Sequence, residues 1–126
     1  MLFNLDPMKA QIEIKNEYNE HPVYLYQHSG SETLVYTVYK VLSLKKRWDD
    51  PDYLTRMLFC AMVPPEKWDG ETGFGIGTGL YHEVELLITL DIPTQQIKIQ
   101  KSDELFNYEE MTFNDFINVF YDSASL

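Results

Sequence analysis

Cysteine is almost absent: Cys60 stands alone in 126 residues. No disulfide can form within the chain, no CxxC or Cys/His spacing offers a zinc site, and a reducing, cytoplasmic setting fits that usage. Cations are scarce, with 10 Lys and Arg against 20 Asp and Glu and a net charge of −10. Without surplus cations there is little to release counterions from a phosphate backbone, which disfavours direct nucleic-acid binding. The same charge suits docking on a basic partner, including one built to hold nucleic acid, and it also serves plain solubility. Long apolar runs are missing, and Met1-Leu2-Phe3-Asn4-Leu5-Asp6-Pro7 has no basic stretch ahead of an apolar core. Neither a membrane span nor a secretory leader is expected.

Catalytic and metal patterns are lacking too. His21, His28 and His82 have no second ligand at a spacing such as HExxH. Asp49, Asp50 and Asp52 lack the glycine and closing glutamate of an EF-hand loop. Cys60 sits among Met57, Leu58, Phe59, Ala61 and Met62, which predicts a small buried thiol rather than a nucleophile. No GxSxG elbow is present. No catalytic residue, metal or cofactor is expected from these patterns, although spacing does not exclude a site assembled from residues distant in sequence.

Glycine is not abundant, but five of the six glycines crowd into Trp68–Gly79. Gly73, Gly75, Gly77 and Gly79 alternate. The dinucleotide fingerprint needs GxGxxG, and Thr78 and Leu80 occupy the required third-glycine positions; a Walker motif lacks its Lys-Ser or Lys-Thr pair. Alternation describes a strand with one bare face, against which a helix or an aromatic ring can lie, with Phe74, Ile76, Thr78 and Leu80 on the other. A ligand-contacting loop is the alternative.

Apolar periodicity supplies the rest. Ala10, Ile12 and Ile14 alternate with polar residues over 8–15, a half-buried strand, and Pro22–His28 reads as its hairpin return. Val23 and Leu25 then face the core, leaving Tyr24, Tyr26 and His28 on the opposite side. Ser29 and Glu32 have the form of a capping box opening a helix that runs to about Lys46, with Lys45, Lys46 and Arg47 at the negative end of its dipole. Asp49 or Asp50 before Pro51 starts a second helix, which Pro64-Pro65 ends. Val84, Leu86, Ile88, Leu90 and Ile92 share one face of a central strand. A turn at Pro93-Thr94 pairs Asp91 with Gln96, Leu90 with Ile97 and Ile88 with Ile99. Thr112-x-x-Asp115 opens a last helix with Phe113, Phe116, Ile117 and Phe120 as its stripe. The order predicts a single α+β domain over 1–126, a mainly antiparallel sheet of about four to five strands with helices packed on one face.

Nine tyrosines are many for this length. Tyrosine offers contact area at low entropic cost together with a hydroxyl, which suits interfaces. Tyr24, Tyr26, His28, Gly73, Gly75 and Gly77 are the candidate binding residues, with Glu83 and Glu85. The two glutamates would stand roughly 7 Å apart on one strand face, a spacing that exposed strands produce constantly. A small-ligand or nucleotide-sequestering protein built on the same glycine and tyrosine residues is the competing reading.

The run Arg47-Trp48-Asp49-Asp50-Pro51-x-Tyr53-Leu54, followed by Glu71-Thr72-Gly73-Phe74-Gly75-Ile76 and the next strand, resembles small uncharacterised accessory proteins of bacteriophages and prophages. The resemblance covers the middle and C-terminal thirds and assigns no chemistry to any residue. It implies an inhibitor of a host defence system, anti-CRISPR proteins among them.

Overall fold

The computed structural model describes residues 9–17, 22–28, 31–67, 70, 73–81, 84–101 and 108–124. The period-two segments form strands β1 (Ala10–Lys15), β2 (Val23–Gln27), β3 (Phe74–Gly77), β4 (Leu86–Asp91) and β5 (Gln96–Lys101). A further strand, β6 (Tyr108–Thr112), runs into helix α3 (Phe113–Ala124). Helices α1 (Ser31–Ser43) and α2 (Pro51–Met62) lie between β2 and β3.

The strands make one sheet in the order β3-β2-β1-β4-β5-β6. Its central pair, β1 and β4, is parallel, and the other neighbours are antiparallel. The class is the expected α+β, but the sheet has six strands and is mixed. The β4–β5 register is as anticipated, with Asp91 opposite Gln96 and Ile88 opposite Ile99.

Register explains the core. Leu25, Ile12, Ile88 and Ile99 stand opposite one another across successive strands, and Ile14, Leu90 and Ile97 form the adjoining row. All are buried, and they make the floor on which Leu34, Val38 and Leu42 of α1, Leu54 and Leu58 of α2, and Phe113 and Phe116 of α3 are packed. Burying a side chain of this size stabilises by about 1.5–3 kcal/mol.

Capping follows the chemistry of the termini. Asp50 caps α2 by accepting from the Tyr53 amide at 3.1 Å, and Pro51 occupies the first turn. The Asp115 amide donates to Thr112 Oγ1 at 3.1 Å, so a strand hands over directly to a capped helix. The Ser29 capping box falls outside the described residues.

Helix α1 stops at Ser43, short of the basic cluster. Lys45 and Arg47 have φ of 53° and 52°, in the left-handed region, so these cations belong to the connection and not to the last helical turn. The Lys45 amide donates to Leu42 O at 3.0 Å, closing the helix in the manner usually given to glycine. Trp48 Nε1 donates to the same carbonyl at 3.1 Å while its ring meets Phe113 edge-on at 5.4 Å.

Candidate functional site

Helices cover one face of the sheet and leave the other largely open. β3 runs antiparallel to β2 and β2 antiparallel to β1, so β3 is parallel to β4, and the chain from Gly77 to Leu86 has to cross β2 and β1. Its described part through Tyr81 lies on the face opposite the helices. Gln11, on the outward phase of β1, holds it there: Gln11 Nε2 donates to Gly79 O at 3.2 Å, and the Tyr81 amide donates to Gln11 Oε1 at 2.9 Å. Gln11 is only 1% exposed, a buried amide whose polar atoms are both used.

The crossing segment sets Tyr81 edge-on to Tyr26, ring centroids 4.9 Å apart, with Tyr81 53% exposed. Tyr26 Oη is hydrogen-bonded to His28 Nδ1 at 2.9 Å. Tyr24 Oη donates to Glu13 Oε2 at 2.7 Å, and Thr89 Oγ1 donates to Glu13 Oε1 at 3.1 Å. The result is a row of rings along β2, backed by one carboxylate that accepts from both sides.

Burial, the bond to Glu13 and the negative charge of that carboxylate push the Tyr24 phenol up to about 12 from 10.0. The folded phenol holds its proton more tightly than the unfolded one, so its contribution to stability is complete below pH 10 and lost as pH rises towards 12. Urea midpoints measured across that window should fall for the wild type, and Tyr24→Phe should flatten the fall.

β3 supplies the bare face that the glycine alternation predicts. Gly75 pairs with Tyr26 and Gly77 with Tyr24, on the open side, while Phe74 and Ile76 point to the helix side. The His28 amide donates to Gly73 O at 2.8 Å, so this segment is paired backbone and not an open loop. Positive φ does not account for these glycines, since among the described glycines only Gly70 has it, at +86°. Nor does crowding. A Cβ at Gly75 would sit 3.9 Å from Tyr26 Cδ1, and one at Gly77 would meet nothing within 4 Å. Gly77→Val should therefore leave stability unchanged or raise it by up to about 1 kcal/mol in thermal unfolding, since a branched residue suits a strand better than glycine.

Of the predicted binding residues, Tyr24, Tyr26, His28, Gly73, Gly75 and Gly77 come together on the β2–β3 half of the sheet. Glu85 precedes β4, exposed, with its amide donating to Lys9 O at 2.9 Å. Glu83 lies outside the described residues. Gln11, Glu13 and Thr89 were not anticipated, because a polar residue on the outward phase of a strand reads simply as solvated.

Cys60 is exposed, against the expected burial. On α2 it continues the outward stripe of Asp52 and Arg56 at four-residue intervals, away from the buried Leu54, Leu58 and Met62. Val23, Phe59, Cys60 and Ile76, with Asp52 and Arg56, line a groove of about 340 Å³ between α2 and β3. A wider depression of about 550 Å³ at the far end of β1 and β4 includes Glu17, Asp49 and Asp52. Among the described residues no group of His, Cys, Asp and Glu is placed to hold a metal, and no helix is long and apolar enough to cross a membrane. On the helix side Tyr39 stacks on Phe120 at 4.6 Å, with Tyr36 alongside, half exposed under Lys40.

No family model, curated protein or solved structure matches the chain.

Proposed function

We propose that this is a non-enzymatic binding protein that docks on a basic protein surface through the tyrosine-bearing half of its open sheet face. In the phage setting implied by the resemblance, it acts as an inhibitor of a host defence system, anti-CRISPR-like, occupying a surface built to hold nucleic acid.

One observation carries the reading. Tyr24, bonded to the Glu13 carboxylate, and the Tyr26–Tyr81 ring pair stand on one face, beside a glycine strip whose bareness neither backbone conformation nor packing requires. β2 and β3 contain no Lys or Arg, and the whole chain carries −10. β2 and β3 thus present large amphipathic rings and no cation of their own to a basic partner; the cations of the open face, Lys15 and Lys98, stand on β1 and β5.

Capture from host lysate followed by a salt titration tests the proposal. The expected result is one retained protein with a basic surface, released progressively as salt rises. Retention of nothing, or retention indifferent to salt, contradicts it. Thermal shift with nucleotides addresses the ligand reading, because a ligand at 100 times its Kd stabilises by about 2.7 kcal/mol; under the docking proposal no nucleotide shifts the transition.

A further inference from the structure

The sheet has two edges, and they are not alike. β6 carries Glu109 and Glu110, charges of the kind that discourage another strand from pairing. β3 carries Phe-Gly-Ile-Gly, with no charge and no proline. Its side towards β2 is occupied. The bond from the His28 amide to Gly73 O fixes the phase of the antiparallel ladder, so Gly75 and Gly77 direct their backbone groups to β2. The N–H and C=O of Phe74 and Ile76 therefore point to the open edge, where no described residue pairs with them. Ile76 is also 58% exposed, the most exposed aliphatic side chain among the described residues, and it forms one wall of the groove against α2.

We infer that the β3 edge is a strand-addition site for an extended segment of a partner protein in which apolar and cationic residues alternate. This rests on the docking reading above and names its partner's chemistry. Residues opposite one another on adjacent strands share a face. Those of the added strand that stand opposite Phe74 and Ile76 lie on the helix side, and the one opposite Ile76 enters the groove, whose Val23, Phe59 and Ile76 lining takes apolar side chains. The intervening residue stands opposite Gly75, on the open face, where among the described residues a Cβ at Gly75 would meet only Tyr26 Cδ1, at 3.9 Å. Two strand spacings, roughly 10 Å, separate the intervening residue from Tyr26; an arginine or lysine laid over bare glycine covers much of that distance and ends within cation–π range of the ring. Glu13, bonded to the Tyr24 hydroxyl, supplies a carboxylate behind the rings, and neither β2 nor β3 carries a cation; Lys15 and Lys98 stand on the same face farther in, on β1 and β5.

A second copy of the chain fits the edge less well. Antiparallel pairing of two four-residue strands buries far less than the roughly 1,200 Å² that stable interfaces start from. It also sets bare glycine beside bare glycine and joins two chains of charge −10.

The probe is a fluorescein-labelled ten-residue peptide alternating valine and arginine, compared by anisotropy with a peptide of the same composition in two blocks. The alternating peptide should saturate and bind at least tenfold more tightly than the block peptide. Ile76→Pro removes an outward N–H that the sheet does not use, a substitution edge strands tolerate, and should weaken binding at least tenfold, as should a bulky maleimide on Cys60 at the groove. Amide exchange at Phe74 and Ile76 should slow when the peptide binds, with Gly75 unchanged. Equal binding of the two peptides, unaltered binding by Ile76→Pro, or no saturation at millimolar peptide overturns strand addition. If Ile76→Pro is silent while binding remains salt-sensitive and needs Tyr26, strand addition fails and docking on the open face stands. Binding indifferent to both salt and Tyr26→Ala fails the docking reading as well. A concentration-dependent dimer abolished by Ile76→Pro assigns the edge to a second copy and overturns the inference.

Discussion

Phe116→Ala should lower the unfolding free energy by about 3–5 kcal/mol, the range for emptying a core aromatic site. The ring is completely buried on the inner face of α3, tilted against Phe120 at 5.9 Å. The cavity cannot close easily, since Phe113 on the same helix is held edge-on by Trp48, whose indole is tied to Leu42 O. A loss of that size is a large part of the roughly 5–15 kcal/mol by which domains are stable, so some molecules should already unfold near body temperature. Urea unfolding followed by tryptophan fluorescence reads it, with Trp48 as reporter. Val119→Ala, on the exposed side of the same helix, should change stability by less than about 0.5 kcal/mol.

Gln11→Ala should cost about 1–3 kcal/mol, the penalty for stranding groups that one buried amide had satisfied. Gly79 O and Tyr81 N lose their partner together, though both lie at the surface where water replaces part of the loss. The local consequence is sharper. Freed from Gln11, the crossing segment no longer holds Tyr81 against Tyr26, and amide exchange at Tyr81 should accelerate at least tenfold. Gln11→Glu should be worse than alanine at neutral pH. It keeps an acceptor for the Tyr81 amide but loses the donor to Gly79 O, and it buries a charge.

Local signals were legible in the sequence where one residue's chemistry settles one feature. Asp50 before Pro51 marks a helix start, the facing apolar sets of β4 and β5 fix their register, and alternating glycine marks a bare strand face. The parallel pairing of β1 with β4 was not, because a period of two says which face is buried and nothing about which strand lies alongside. β6 was hidden by the adjacent Glu109 and Glu110, poor strand formers that an edge accepts.

The candidate site divides in the same way. Tyr24, Tyr26 and His28 share a face by strand alternation alone. Gln11 clamps a segment 68 and 70 residues away, and no spacing rule connects them. Cys60 was misplaced because its chain neighbours are apolar; the helical period, which sets it with Asp52 and Arg56, turns it outward.

The docking face itself is tested most directly by the dissociation constant of the captured partner for wild type and for Tyr26→Ala/Tyr81→Ala, both folded by circular dichroism. Central interface tyrosines are worth about 2 kcal/mol or more each. The double variant should therefore bind at least a hundredfold more weakly with its melting temperature little changed. Equal affinity for the two proteins would place the binding surface elsewhere and contradict the account.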